Sequence, residues 1–450
     1  MEKNYNIDAI YDYMEKINGR VITDIKSSRG KTIADYCGRI WVNDIKTDGM
    51  YATNARQHII STLYEYIQRH YDKEIATDAV EEFKKLPVFQ TGPHFQLAIE
   101  KNNFFTALFS IIGIKNAGGK YYFNATCSTP SLETRKKYGP MWLNVYDSNF
   151  NIFDFSQMYR KHHSVYNAYI EKPYLFKSYL GNNNAEKAEQ YVFMLRELLS
   201  EIKEKRMVKS LLIANKKLWT EYLSDQVMPI YILEDFYCDL MINMLEDRDS
   251  MLYVLFSNTN KQRTVLDEIN KYKESEWAEM VPTSTDFFWK VTECRFKSIK
   301  LHNNEFIELD GMHYMYNDID EIVVKLKNRE IIPNIFSIVL MESLLGQVRL
   351  VGGLHQFLYY NVSKLAFLKA LDLSIPKEKE LFILLESQEL NHWGSHVLEP
   401  DVEVAELIQK GDKIYDRLKP YYEKYSFDKA IDDMKQFRRY HRWRVLLDCQ

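Results

Sequence analysis

The sequence predicts an α/β protein with a parallel-sheet core, a large helical insertion and a helical C-terminal region. Three observations carry that expectation. The chain has only 16 glycines and 11 prolines in 450 residues, about half the ~12% average. This excludes collagen-like, Gly/Ser-linker and Pro-rich disordered chains and argues against turn-dense β-sandwiches and propellers. Hydrophobic residues reach 46% and aromatic residues 14%, enough to fill a large core. The glycines also cluster: Gly92, Gly113, Gly118, Gly119 and Gly139 in one stretch, Gly311, Gly346, Gly352 and Gly353 in another, with none from Asn182 to Asp310.

Residues 1–85 read as a mixed cap. An amphipathic helix over Ile7–Ile17 precedes short strands around Arg20–Ile25 and Arg39–Asn43. A helix over Ala55–Arg69 then carries Ile59, Ile60, Leu63, Tyr64 and Ile67 at helical spacing. Residues 86–180 form the first part of the core. A buried strand begins at Pro87 and ends at the Gly92-Pro93 turn. An apolar helix follows over Asn103–Ile114, capped by Asn102 or Asn103. Lys120–Ala125 is the next strand, which completes a βαβ unit and implies parallel pairing. Ligands of such sheets bind at the carboxyl ends of the strands, here Thr91–Gln96 and Asn124–Thr129.

Residues 181–282 read as the helical insertion, with helical periodicity over Ala185–Lys205, Val208–Leu223, Ile230–Leu245 and Lys261–Glu279. It either packs on its own chain or serves as a dimer arm; no strict heptad runs for several repeats. Residues 283–376 return to the core. A hairpin joins Phe306–Leu309 to Met312–Tyr316 around Asp310-Gly311. A helix over Ile319–Leu326, an apolar helix or turn opened by Pro333-Asn334, a buried strand over Gln347–Val351 and a helix over Leu354–Leu373 follow. Residues 377–450 are helical and more charged.

Lys+Arg 59 against Asp+Glu 63 leaves a net charge of −4, which speaks against a generic nucleic-acid binder. The basic run from Gln436 to Arg444 is either a solvated helix face or a basic, aromatic contact for an anion or nucleic acid. Five scattered cysteines form no CxxC or Cys/His cluster, so no metal site is expected. The start lacks the features of a signal peptide, and no apolar run approaches the ~20 residues of a membrane span. The expectation is a cytoplasmic protein with reduced thiols and no membrane partner.

Two loops stand at predicted strand ends: Thr91-Gly92-Pro93-His94-Phe95-Gln96-Leu97 and Gly352-Gly353-Leu354-His355-Gln356. Glycines there let backbone N–H groups and neighbouring polar side chains approach an anion. Neither loop is a dinucleotide fingerprint or a P-loop. Cys127 follows the second strand and is either an inert half-buried thiol or, given a neighbouring base or cation, a nucleophile. His392 and His396 are four apart, but Gly394 between them weakens a shared helix face and no third ligand is in place.

These loops resemble those of the BshC family, the cysteine-adding enzymes of bacillithiol biosynthesis. That family carries Thr-Gly-Gln-Gln-Pro-Gly-Leu where this chain has Thr91 to Leu97. Asp310-Gly311, Asp320-Glu321, Pro333-Asn334, Val351-Gly352-Gly353, Tyr359, Leu365, Phe367 and Ile375-Pro376 then follow in the family's order. The resemblance covers 86–145 and 300–376. It implies a Rossmann-like core, a helical arm used for dimerisation and a nucleotide-type pocket for ATP or another adenine nucleotide. It also implies a ligase that joins an amino acid, or a similar amine or thiol, to a small-molecule acceptor in a biosynthetic pathway. His94, His355, Gln356 and Cys127 are then the candidate catalytic groups. Thr91, Gly92, Gln96, Asn124, Thr126, Glu342, Arg349, Gly352 and Gly353 are the candidate substrate or nucleotide contacts.

The chain also departs from that family. Its Ala-Thr-Glu-Asp-His-Asp segment is here Ala125-Thr126-Cys127-Ser128-Thr129-Pro130. Its Arg-Pro and Gln-Asp are absent, with Ser337 and Glu342 nearby, and its Pro-Gly-Glu becomes Leu354-His355-Gln356. The acid–base set has therefore changed or been lost. Two rivals follow: a catalytically altered binding or partner subunit, and a nucleotide-dependent RNA-modifying enzyme of the class I synthetase type.

Overall fold

The computed structural model describes residues 7–432 except 18, 93, 135, 147, 173, 180–183, 276–277, 279–280, 282–283, 394–401 and 410–412. The side chains of residues 7, 354, 355, 357, 393, 431 and 432 are also outside the description. His396, Cys449 and the basic run from Gln436 thus lie outside the described residues.

Five helices precede the first strand: α1 (Ile7–Ile17), α2 (Gly19–Ser27), α3 (Ile33–Ile40), α4 (Met50–His70) and α5 (Lys73–Lys85). The strands expected around Arg20–Ile25 and Arg39–Asn43 are instead α2 and the end of α3. Val21, Ile22 and Ile25 repeat at helical spacing and are buried together. Thr32 and Asp35 fix the start of α3 by a reciprocal capping box.

Strand β1 (Val88–Gln90) leads to α6 (Lys101–Asn116). Its cap is Glu100, whose carboxylate accepts from the backbone N–H groups of Asn102 and Asn103, so neither asparagine is the cap. Helix α6 packs on α3 through Gly113, where a Cβ would lie 2.2 Å from Trp41 Cε3 and 2.9 Å from the Cys37 carbonyl oxygen. Gly113→Ala is therefore expected to cost about 2–3 kcal/mol by overpacking. Urea unfolding reads this directly, and a midpoint equal to the parent's would contradict it.

After β2 (Tyr121–Ala125), the strands β3 (Trp142–Val145), β4 (Ser148–Asn151) and β5 (Lys177–Tyr179) make a small antiparallel sheet, with α7 (Gln157–His162) between β4 and β5. The predicted helical insertion supplies α8 (Ala185–Leu199) and α9 (Met207–Leu218), which bury their apolar stripes in this chain's own core. It then supplies β6 (Met228–Ile232), α10 (Glu234–Glu246), α11 (Met251–Phe256) and α12 (Thr259–Lys271). Ile230–Leu245 is thus not one helix. Its first residues pair with β2 in parallel. A fully buried strand and a buried helix carry the same unbroken apolar run, and the acidic pair Glu234-Asp235 marks where the helix begins.

A second antiparallel sheet, ordered β10-β9-β8-β7-β11, combines β7 (Phe288–Val291), β8 (Phe296–His302), β9 (Glu305–Glu308), β10 (His313–Tyr316) and β11 (Ile331–Pro333). The expected hairpin turn at Asp310-Gly311 is present, with Gly311 at φ +85°. Helix α13 (Ile319–Lys327) lies between β10 and β11, and α14 (Ile335–Val339) starts at the Asn334 cap. It runs straight into a π-helical turn, Leu340–Leu345. Then come β12 (Arg349–Gly352), α15 (Leu354–Ala370), α16 (Pro376–Ser387), β13 (Asn391–Trp393), α17 (Val404–Ile408), α18 (Ile414–Tyr422) and α19 (Phe427–Asp432). Strand β13 interrupts the region expected to be helical, and it holds His392, which rules out a helix face shared with His396. Among the described residues no helix is long and apolar enough to cross a membrane.

The central sheet is parallel throughout and ordered β13-β12-β1-β2-β6. Alternate side chains face two cores. Val88, Tyr122, Tyr231 and Val351 join the one that holds α6. Phe89, Phe123, Ile230 and Leu350 join the one that holds most of the buried positions of α15. From β1 the chain proceeds to β2 and β6 on one side, while β12 and β13 add on the other. The helices after β1 and β12 leave to opposite faces, and such a divergence opens a crevice at the carboxyl ends of neighbouring strands.

Candidate active site at the strand ends

The two glycine loops, far apart in sequence, meet at that crevice. Gln90 pairs with Val351 in register. The Thr91 N–H donates to the Val351 carbonyl at 2.8 Å. The Gln90 amide donates to the same carbonyl at 2.7 Å and to Gly92 O at 3.0 Å, while its own oxygen accepts from Ser110 of α6 at 3.0 Å. A Cβ on Gly92 would lie 3.4 Å from the Gly353 nitrogen, and one on Gly352 only 1.6 Å from Gln356 Oε1. A side chain on Gly352 would therefore displace the Gln356 amide, whereas Gly92 has ordinary van der Waals room. Thr91 Oγ1 donates to Gln356 Oε1 across the junction. Gln356 is buried and its Nε2 has no hydrogen-bond acceptor.

The end of β2 closes the next side. The Phe95 N–H donates to the Cys127 carbonyl at 2.9 Å, which pins the first loop to this strand. The Ser128 N–H and hydroxyl both donate to the Glu234 carboxylate at 2.6 Å. Burial, then the Glu234 and Glu342 carboxylates, push the half-buried Cys127 thiol up. A preformed thiolate needs a cationic neighbourhood, and this field is the reverse.

The His94 side chain is exposed, and desolvation by the surrounding chain lowers its imidazole from the ordinary value. With Asn124 and Thr126 it lines a water-sized cavity into which Asn124 Oδ1 brings an unpartnered acceptor.

Glu342 is the outlier of this region. It lies on the π-helical turn, a distortion frequent at functional sites. It is 0% exposed, has no charged partner, and meets only the Tyr237 hydroxyl, in a geometry too poor for a regular hydrogen bond. Burial pushes its pKa up to about 8, and the facing Tyr237 hydroxyl offsets only part of that shift. Tyr359 of α15 feels both Cys127 and Glu342, and Tyr237 of α10 feels Glu342, Cys127 and Glu234. These side chains form one cluster behind the glycine loops.

Two sequence-predicted residues have other duties. Gln96 donates to Glu100 at 2.8 Å, and its carbonyl accepts from Asn215 at 2.8 Å, so it braces the entry to α6. Arg349 stands at the start of β12, away from the strand's carboxyl end. Its guanidinium donates to the carbonyls of Ile40 at 2.6 Å and Val42 at 3.0 Å and pairs with Asp44. It ties the N-terminal helices to the sheet and is not a site residue. The His355 side chain lies outside the described residues. The sequence reading missed Tyr237 and Glu234. The acidic residue two positions after β6 was a signal for Glu234, hidden by reading β6 as helix. Among the described residues no group of His, Cys, Asp and Glu could hold a metal ion. No protein-family model matches the chain, and no curated protein matches it.

Proposed function

We propose that the protein is a small-molecule enzyme of the amino-acid-adding, ligase type, with a Rossmann-like core and its site at the crevice between β1 and β12. The observation that carries this reading is the Glu342 carboxyl, buried with no charged partner and only the Tyr237 hydroxyl against it, within electrostatic reach of Cys127 and Tyr359. Native proteins rarely leave a buried carboxyl unsatisfied without a use for it.

Joining an amine or thiol to the hydroxyl-bearing carbon of an acceptor forms a C–N or C–S bond, breaks the C–O bond and releases water, so one group can take the N–H or S–H proton and hand it to the departing hydroxyl. A carboxyl with a pKa of about 8 exchanges protons near neutral pH, the condition under which general acid–base catalysis is most effective. His94 is a second acceptor at the mouth, and the Gln356 Nε2 donor orients the acceptor molecule. The cavity beside Asn124 is water-sized and no lysine or arginine lines it, so it does not fit an adenine nucleotide, and no step runs through one. The rival reading of a binding or partner subunit is favoured by one observation, the Cys127 thiol held protonated in an anionic field.

A thermal-shift panel of amino acids, small thiols and sugar or hydroxy-acid acceptors tests the proposal, because only native-state binding raises stability. An amine or thiol and an acceptor should each stabilise the chain saturably. Turnover of that pair should fall at least ~100-fold in Glu342→Gln, in line with loss of a general acid–base, with binding retained. Full turnover in that variant, or stabilisation only by a protein partner, would sink the enzyme reading.

A further inference from the structure

We infer that the cleft beside the end of β6 is a second binding site, which takes an organic polyanion with a flat aromatic body. It shares Glu234 with the strand-end site but is lined by none of His94, Gln356, Cys127 or Glu342, and it does not depend on the function proposed there. The cleft holds about 1250 Å³, more than the ~300–1,000 Å³ usual for metabolite pockets.

One wall is α9. Arg206, Lys209, Ile213 and Lys216 all line the cleft and recur at spacings of three and four, which places them on one helix face. At 1.5 Å per residue the row from Arg206 to Lys216 spans ~15 Å, long enough to meet several anionic groups. Among the described residues no carboxylate forms an ion pair with Arg206, Lys209 or Lys216. Lys216 instead lies 3.6 Å above the Tyr71 ring, and burial lowers its pKa. Cations held at the edge of a cleft without counter-ions gain from an incoming anion.

The acidic lining is mostly engaged elsewhere. Asp235 pairs with Arg329 at 2.8 Å, and the Glu234 carboxylate is taken by Ser128. Glu204 accepts from the Arg206 backbone N–H at 2.8 Å. Glu293 alone remains against the row of cations. The cleft also offers flat surface. Tyr159 and His163 stack with ring centroids 3.7 Å apart and planes 6° apart, and Tyr169 beside them is 55% exposed. Aromatic faces with nearby cations suit a ring that carries negative charge.

The experiment uses pyrenetetrasulfonate, a fluorescent flat tetra-anion, titrated into the full chain. One saturable site is expected, weakened by added salt. Lys209→Glu should weaken it about tenfold, which is ~1.4 kcal/mol, and adding Lys216→Glu should weaken it further. Both variants should unfold at the parent's temperature. Glu342→Gln should bind the probe like the parent, so a failure of the catalytic proposal leaves this result untouched. Displacement by adenosine diphosphate would assign the site to phosphate-bearing ligands, and displacement by mellitate to polycarboxylates. Absent saturable binding, unchanged affinity in a folded double variant, or displacement by neither competitor would each overturn the inference.

Discussion

Replacing Asp24 with alanine lowers the stability of the protein by about 3–5 kcal/mol, the usual cost of removing one partner from a buried ion network. Asp24 on α2 has a side chain only 3% exposed. Its carboxylate lies 2.9 Å from Arg20 Nε, 3.4 Å from Arg39 Nη2 and 3.3 Å from Nε2 of His392 on β13. The network therefore fastens the N-terminal helices to the edge strand of the central sheet. Burial acts to raise the Asp24 pKa, but His392 and Arg20 outweigh it and hold the carboxyl well below its ordinary value of 3.8. A depressed folded-state pKa means that this stabilisation is fully present above pH 3.8 and is lost as the pH falls. Urea unfolding of the parent and Asp24→Ala should show the full gap at pH 7 and a narrowing gap in acid. Equal midpoints at pH 7 would contradict the role assigned to this network.

Glu342 should behave in the opposite sense. Its pKa rises from 4.5 to about 8 on folding, and each unit corresponds to ~1.4 kcal/mol. A raised carboxyl pKa leaves stability fully present below pH 4.5 and loses it as the pH climbs through 8. Glu342→Gln keeps the shape and removes the titration. The variant should match the parent below pH 4.5 and exceed it by roughly 4 kcal/mol at pH 8. A group that costs stability at working pH and is nevertheless buried without a charged partner is what a functional site carries. Guanidinium unfolding at both pH values measures the difference, and a glutamine variant less stable than the parent at pH 8 would exclude this account of the carboxyl.

Much of the frame was legible in the sequence because it rests on local signals. Gly92 and Gly352-Gly353 mark strand ends, the run from Phe104 to Ile114 can only be a buried helix, and Asp310-Gly311 spells a hairpin turn. What the sequence hid depends on partners distant along the chain. Strand β6 is recognisable only beside β2, and β13 has three residues, too few to show any period. Arg349 has the residue type of an anion ligand, yet its place at the start of β12 turns it towards Ile40, Val42 and Asp44. The same holds for the site. Cys127 and Glu342 could be singled out one by one, but the influence of Glu342 on the Cys127 thiol exists only once β2 and the π-helical turn pack together. The cleft along α9 was hidden for a further reason: a near-neutral net charge averages away a row of three cations whose neighbouring carboxylates are engaged elsewhere.

The most direct measurement is a carbon-13 NMR titration of the glutamate carboxyl carbons, with Glu342→Gln to assign the resonance. The site described above requires one carboxyl, missing from the variant, that titrates near pH 8. A Glu342 resonance that titrates near 4.5, the ordinary value for a glutamate, would contradict it.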